Sequence, residues 1–157
     1  GATAQTSKPC PPGLYCTGGT TTIQCPIHSN SSQGAEAKTG CICDPGYYGN
    51  EGQGTPCQEC PIGDYCVGGE TVLQCPPNSQ TLQTAAHQKA LCTCVPGYYG
   101  PFGGDTCTPC PEHHYCTGHT NVTHCPINMV TLSTMASTDT HCVCNASYYG
   151  PNGGKKL

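Results

Sequence analysis

Apolar residues along this chain come singly or in short clusters, and no stretch repeats them at helical spacing for a useful length, so little or no helix is expected. Glycine and proline together supply 36 of the 157 residues and interrupt every segment. Short pieces such as "TVLQC" and "NVTHC" predict brief strands, and "PGYYG" and "FGGDT" predict turns in which glycine provides a positive φ. The pattern therefore predicts small two-stranded β ribbons joined by loops.

A threefold register organises these pieces. Cys10, Cys60 and Cys110 lie 50 apart, as do Cys16, Cys66 and Cys116, and Cys25, Cys75 and Cys125. Cys41, Cys92 and Cys142, then Cys43, Cys94 and Cys144, follow with a one-residue slip between the first two copies, and Cys57 and Cys107 are again 50 apart. The unit reads C-x5-C-x8-C-x15/16-C-x-C-x12/13-C, with two residues before the next copy. After a lead-in over 1–9, the repeats occupy 10–57, 60–107 and 110–157, the third lacking its sixth cysteine. Linkers of two residues, Gln58-Glu59 and Thr108-Pro109, are too short for hinges and predict an elongated, stiff rod. All nine tyrosines recur in register: Tyr15, Tyr65 and Tyr115, and the pairs Tyr47/Tyr48, Tyr98/Tyr99 and Tyr148/Tyr149. They read as part of the build, with one or two buried against a disulfide or a neighbouring module.

Composition explains why such a chain needs staples. Ile, Leu, Val and Phe total eighteen and tryptophan is absent, so a conventional core cannot be filled. Seventeen cysteines instead predict a small disulfide-rich fold in an oxidising, extracytoplasmic compartment, each bridge contributing roughly 2–4 kcal/mol. "GATAQTSK" carries no signal peptide and no apolar run approaches the ~18 residues of a membrane span, which reads as a mature or excised soluble segment. A net charge of −4 and the absence of arginine argue against a nucleic-acid partner. With charged residues at 9%, the 29 serines and threonines, and sugars on them, are expected to carry much of the solvation.

The phrases "CTCVPGYYG" and "CICDPGYYG", with one residue between the fourth and fifth cysteines and a glycine-aromatic turn, resemble the epidermal growth factor-like module. "CPPGLYCTGG", "CPIGDYCVGG" and "CPEHHYCTGH" also look like the ephrin-receptor-like cysteine-rich repeats of algal and protist surface proteins, including those of flagellar hairs. Six cysteines allow 15 connectivities, so a pairing comes only from the resemblance. The growth-factor-like order implies Cys10–Cys25, Cys16–Cys41 and Cys43–Cys57, then Cys60–Cys75, Cys66–Cys92 and Cys94–Cys107, then Cys110–Cys125 and Cys116–Cys142. Cys144 is left unpaired, because the place of its partner near residue 157 is Leu157. Starting the unit at the CxxC moves the missing cysteine to Ser7 instead. Either the array continues beyond the segment, or the leftover thiol bonds to another chain and joins protomers head to tail.

Other chemistries find less support. Each CxxC spans a junction between repeats and the remaining cysteines suit disulfides, so neither a zinc site nor a thioredoxin-like centre is expected. His113, His114, His119 and His124 cluster in repeat 3, yet no histidine recurs in all three copies, and a solvated surface is the expected role. "GTPCQEC" lacks a calcium-binding preface, and Asp44, Asp64 and Asp105 are scattered. No spacing selects a nucleophile, base and orienting group, so no catalysis and no cofactor are expected. Sequons at Asn30, Asn121 and Asn145 predict covalent N-linked glycans, and "TGGTTT" and "TGHTNVT" are suited to O-linked ones. At Asn145 the turn reads "NASYYG", with Ser147 where Gly46 and Gly97 stand.

The expected protein is a secreted, cell-surface structural glycoprotein: a segment or subunit of a fibre or stalk that associates with itself or with neighbouring modules of a longer chain. The alternative is a ligand-binding receptor or adhesion ectodomain, with Glu112, His113, His114 and His119 marking where repeat 3 breaks the pattern.

Overall fold

The computed structural model describes residues 7–150. Among them every strand is two to five residues long and every sheet has two strands, while the helical content is four three-residue 3-10 turns. The protein is a small disulfide-rich fold of β ribbons, as the pattern of short apolar pieces predicts. Two compact units divide it: 7–61 with 66–73 and 84–87, and 62–65 with 74–83 and 88–150. Compact unit and sequence repeat are out of register, because the first unit holds repeat 1 together with parts of repeat 2.

In the first unit, Leu14–Tyr15 pairs with Ile23–Gln24, Ser29–Ser31 with Cys41–Cys43, and Tyr47–Asn50 with Thr55–Glu59, all antiparallel. In the second, Ser79–Gln80 pairs with Thr93–Cys94, Tyr98–Tyr99 with Thr108–Pro109, His114–Tyr115 with Thr123–His124, and Met129–Thr131 with Cys142–Cys144. The two linkers are thus strands. Gln58 and Glu59 face Tyr48 and Tyr47, and Thr108 and Pro109 face Tyr99 and Tyr98. Within "PGYYG" only Pro-Gly turns the chain, and the tyrosines that follow are extended and half-buried.

Sulfur fills the interior. Twelve of the fourteen buried apolar residues among those described are cysteines, and the other two are Ala86 and Ala136. Larger apolar side chains lie outside, with Ile27, Phe102, Ile127 and Leu132 all exposed.

The disulfides run in order along the chain, and this corrects the pairing that the growth-factor-like resemblance implied. Cys10–Cys16 and Cys25–Cys41 replace Cys10–Cys25 and Cys16–Cys41. Cys60–Cys66 and Cys75–Cys92 replace Cys60–Cys75 and Cys66–Cys92, and Cys110–Cys116 and Cys125–Cys142 replace Cys110–Cys125 and Cys116–Cys142. Cys43–Cys57 and Cys94–Cys107 close the first two repeats. The reason lies in the backbone. Gly13 at φ 80° folds the chain so that Cys10 and Cys16 bring their Cα atoms to 5.8 Å. Both then grip the same two residues: Gly34 N–H donates to Cys10 O at 2.7 Å and Cys16 N–H donates to Ala35 O at 2.9 Å. Ala85 and Ala86 fill this clasp in repeat 2, and Met135 and Ala136 fill it in repeat 3. The ribbon Ser29–Ser31/Cys41–Cys43 separately brings Cys41 to Cys25, at 5.7 Å between Cα atoms.

The clasp also locates the one-residue slip. Ser31, Thr81 and Thr131 are in register, and two residues separate Ser31 from Gly34 whereas three separate Thr81 from Ala85 and Thr131 from Met135. These three hydroxyl residues are buried. Thr81 Oγ1 accepts from Gly63 N–H at 2.9 Å and donates to Asp64 O at 3.1 Å, Thr131 Oγ1 accepts from His113 N–H, and Ser31 Oγ donates to Leu14 O. Hydroxyls counted as solvating in the sequence are here structural. Thr81→Val keeps shape and removes both bonds, so it should destabilise the second unit by about 1–3 kcal/mol. Thermal or denaturant unfolding checks this, with Ser32→Ala as the comparison. Ser32 is exposed, and its loss should change stability by no more than about 0.5 kcal/mol.

Candidate functional site

The feature that recurs with least change is the joint where one repeat meets the next. Pro45-Gly46 turns the chain after Cys43, with Gly46 at φ 93°, and the turn bonds backbone to backbone with repeat 2. Gly46 N–H donates to Cys66 O at 2.8 Å and Cys60 N–H donates to Gly46 O at 2.8 Å. Gly69 N–H donates to Cys43 O, and Gly49 N–H donates to Gly69 O, both at 2.9 Å. The second joint repeats these four bonds. Gly97 N–H donates to Cys116 O, Cys110 N–H to Gly97 O, His119 N–H to Cys94 O and Gly100 N–H to His119 O, at 2.8 to 3.0 Å.

Such close approach requires missing side chains. A Cβ on Gly46 would lie 2.7 Å from Ala85 O, and one on Gly97 would lie 2.8 Å from Met135 O. On the opposite side of each joint, a Cβ on Gly68 would meet Cys43 O at 2.8 Å and one on Gly118 would meet Cys94 O at 2.7 Å. All four glycines also have positive φ, which costs a residue with a Cβ roughly 1–2 kcal/mol. The threefold register of Gly18, Gly68 and Gly118 in "TGG", "VGG" and "TGH" is the sequence signal for this face.

Beside the first joint lies a buried charge. Asn50 caps the turn Glu51–Gln53, its Oδ1 accepting from Gln53 N–H, and Glu51 is 5% exposed. The Glu51 carboxylate accepts from Cys57 N–H and pairs with Lys38 at 3.1 Å. The Cys57 amide first, and then Lys38, hold its pKa below the ordinary carboxylate value. In repeat 2, Lys89 occupies the register of Lys38 and pairs with Asp105 on the surface, which raises the Lys89 pKa. His28 stacks on Tyr47 with ring centroids 3.9 Å apart.

The histidines of repeat 3 have a backbone explanation. His113 (φ 65°) and His119 (φ 59°) stand in register with Gly63 and Gly69 in left-handed conformations, which His adopts more readily than most side-chain-bearing residues. His114 faces His124 across a ribbon, ring centroids 4.5 Å apart. Glu112 lies next to them and offers its carbonyl to His114 Nδ1. Among the described residues, no three His, Cys, Asp or Glu side chains gather as a metal-binding group. The two cysteines of each CxxC enter different disulfides, Cys57 with Cys43 and Cys60 with Cys66.

Asn30, Asn121 and Asn145 are all exposed: Asn30 within a ribbon, Asn121 ahead of the strand Thr123–His124, and Asn145 directly after Cys142–Cys144. Asp44 is half-buried ahead of the first Pro-Gly turn and Asp64 is in a strand. Cys144 has a free, half-buried thiol among the described residues, and the place of its expected partner, near Leu157, lies outside them. Among the described residues no helix is long and apolar enough to cross a membrane. Compared with known protein families and with curated proteins, the chain matches none.

Gly46→Ala and Gly97→Ala should each destabilise the protein by roughly 2–5 kcal/mol, summing the positive-φ and overpacking costs, as measured by denaturant unfolding. Acid should act through Glu51. Its folded pKa is depressed, so it contributes stability that is fully present above its unfolded value of about 4.3 and is lost as pH falls through the lower folded value. Between about pH 5 and 2, wild-type stability should therefore drop more steeply than that of Glu51→Gln, as followed by unfolding across that range.

Proposed function

We propose that the protein is a structural element of the cell exterior, a segment or subunit of a surface fibre or stalk built from tandem disulfide-closed repeats. The observation that carries this reading is the recurring joint, in which the linker is a ribbon strand and four backbone hydrogen bonds tie each repeat to the next. A chain of loops fastened in this way resists bending at its joints, and disulfides within each loop resist unfolding and proteolysis. The disulfide-rich composition supports an oxidising, extracellular setting. Exposed sequons at Asn30, Asn121 and Asn145 support N-linked glycans that cover a surface with few charges. The Cys144 thiol is a candidate for a covalent link to another chain.

A second reading, a receptor or adhesion ectodomain, is favoured by repeat 3, where Ile127 and Leu132 are 89% and 83% exposed near the histidine-bearing loops. Electron microscopy of the purified glycosylated protein, together with gels run with and without reductant, separates the two. The structural reading predicts regular filaments or end-to-end multimers, formed through the Cys144 thiol or with partners that carry tandem repeats of the same kind. Isolated monomers that capture one specific partner lacking such repeats would overturn it.

A further inference from the structure

Repeat 1 carries the receiving half of the joint with no described residue seated in it. In repeats 2 and 3 that half consists of the N–H of Cys60 or Cys110, the carbonyl of Cys66 or Cys116, both backbone groups of Gly69 or His119, and the bare Cα of Gly68 or Gly118. The same groups in repeat 1 are Cys10 N–H, Cys16 O, Gly19 N–H and O, and Gly18. Among the described residues these backbone groups of Cys10, Cys16 and Gly19 have no hydrogen-bond partner, and a Cβ on Gly18 would meet nothing within 4 Å. Gly18 keeps φ at 104°, against 102° and 98° for its counterparts, so the backbone is already set in the receiving shape. Exposure agrees: Cys60, Cys66, Cys110 and Cys116 are each 0% exposed, whereas Cys10 is 7% exposed and Cys16 is half-buried. A groove of about 550 Å³ lies over these residues, lined by Cys10, Cys16, Gly18, Gly19 and Thr20.

We propose that this groove on repeat 1 is a docking site for the closing turn of another repeat, a segment of the Cys-x-Pro-Gly-Tyr-Tyr-Gly kind with glycine after the proline. This deepens the fibre reading and rests on it for the source of that turn. The occupant would donate its first glycine N–H to Cys16 O and its second to Gly19 O, and would accept from Cys10 N–H and Gly19 N–H. Repeat 3 of a second copy of this chain does not meet the requirement. Its turn has Ser147 at φ 75° where Gly46 and Gly97 stand, and that Cβ would be driven against Gly34 O, the counterpart of Ala85 O and Met135 O. The partner is therefore a turn with glycine at that point, and the turn of repeat 3 does not seat a further repeat in this geometry.

The test replaces residues 1–9 of the full chain with a copy of 43–59, so that the grafted Gln-Glu precedes Cys10 as Gln58-Glu59 precedes Cys60. A two-residue tether supplies an effective concentration of at least about millimolar. Amide hydrogen exchange at Cys10 and Gly19 should slow at least about tenfold, toward the rates of Cys60 and Gly69, and should stay fast when the grafted glycine that copies Gly46 is changed to serine. Mapping the grafted disulfide and following Cys60 and Gly69 show that both parts are folded. Unchanged exchange at Cys10 and Gly19 in a correctly bridged graft, or equal slowing with the serine graft, would overturn the proposal. In either case imaging of the parent protein decides the fibre reading independently.

Discussion

Two cysteines gripping two residues from further along the chain is the arrangement on which the rest of this structure depends. Cys60 and Cys66, bridged to each other, hold Ala85 and Ala86 by one hydrogen bond each. That grip fixes Ala85 O and Cys66 O, the atoms against which Gly46 of the preceding repeat is seated. Displacing the clasp would move the receiving side of the joint, and no packed apolar layer among the described residues exists to restore it. The same sequence of dependence runs through Cys110, Cys116, Met135 and Gly97 in the second unit.

Ordered disulfides have a mechanical consequence. Bridges between first and second, third and fourth, and fifth and sixth cysteines close three short loops in succession, with separations of 6 to 17 residues. Loops of this size contribute up to about 3 kcal/mol each by restricting the unfolded chain. They do not overlap, so cohesion between them falls to backbone hydrogen bonds, the buried hydroxyls of Ser31, Thr81 and Thr131, and the Glu51–Lys38 pair. Local geometry is expensive where Ala85 and Met135 adopt positive φ, at 59° and 65°, in the place of Gly34. These residues keep that conformation because the clasp holds both their N–H groups and the residues that follow.

Much of this architecture is readable from spacing. The register of seventeen cysteines and nine tyrosines marks the repeats, and the lack of helical periodicity together with frequent glycine predicts ribbons. Connectivity is not readable, because the residues that decide it, Gly34, Ala35 and their counterparts, share no side-chain signature, Met135 standing where Gly34 and Ala85 stand, and act through their backbones. The linkers read as spacers for a similar reason: Thr108-Pro109 has no strand-like sequence, and becomes a strand because Tyr98-Tyr99 offers it an edge. Histidine at 113 and 119 draws the eye to side-chain chemistry, whereas the positions demand left-handed backbone. The glycines at 18, 68 and 118 are visible as a threefold pattern, but only the carbonyls of Cys43 and Cys94 beside Gly68 and Gly118 reveal its purpose.

Disulfide mapping of the unreduced protein, with cleavage between Cys16 and Cys25 and between Cys66 and Cys75, tests this account most directly. Sequential closure predicts Cys10 bridged to Cys16 within one peptide and Cys25 carried with Cys41, and likewise Cys60 with Cys66 and Cys75 with Cys92. Recovery of Cys10 linked to Cys25 and Cys16 linked to Cys41 would contradict it, since overlapping bridges would abolish the clasp and the joint seated on it.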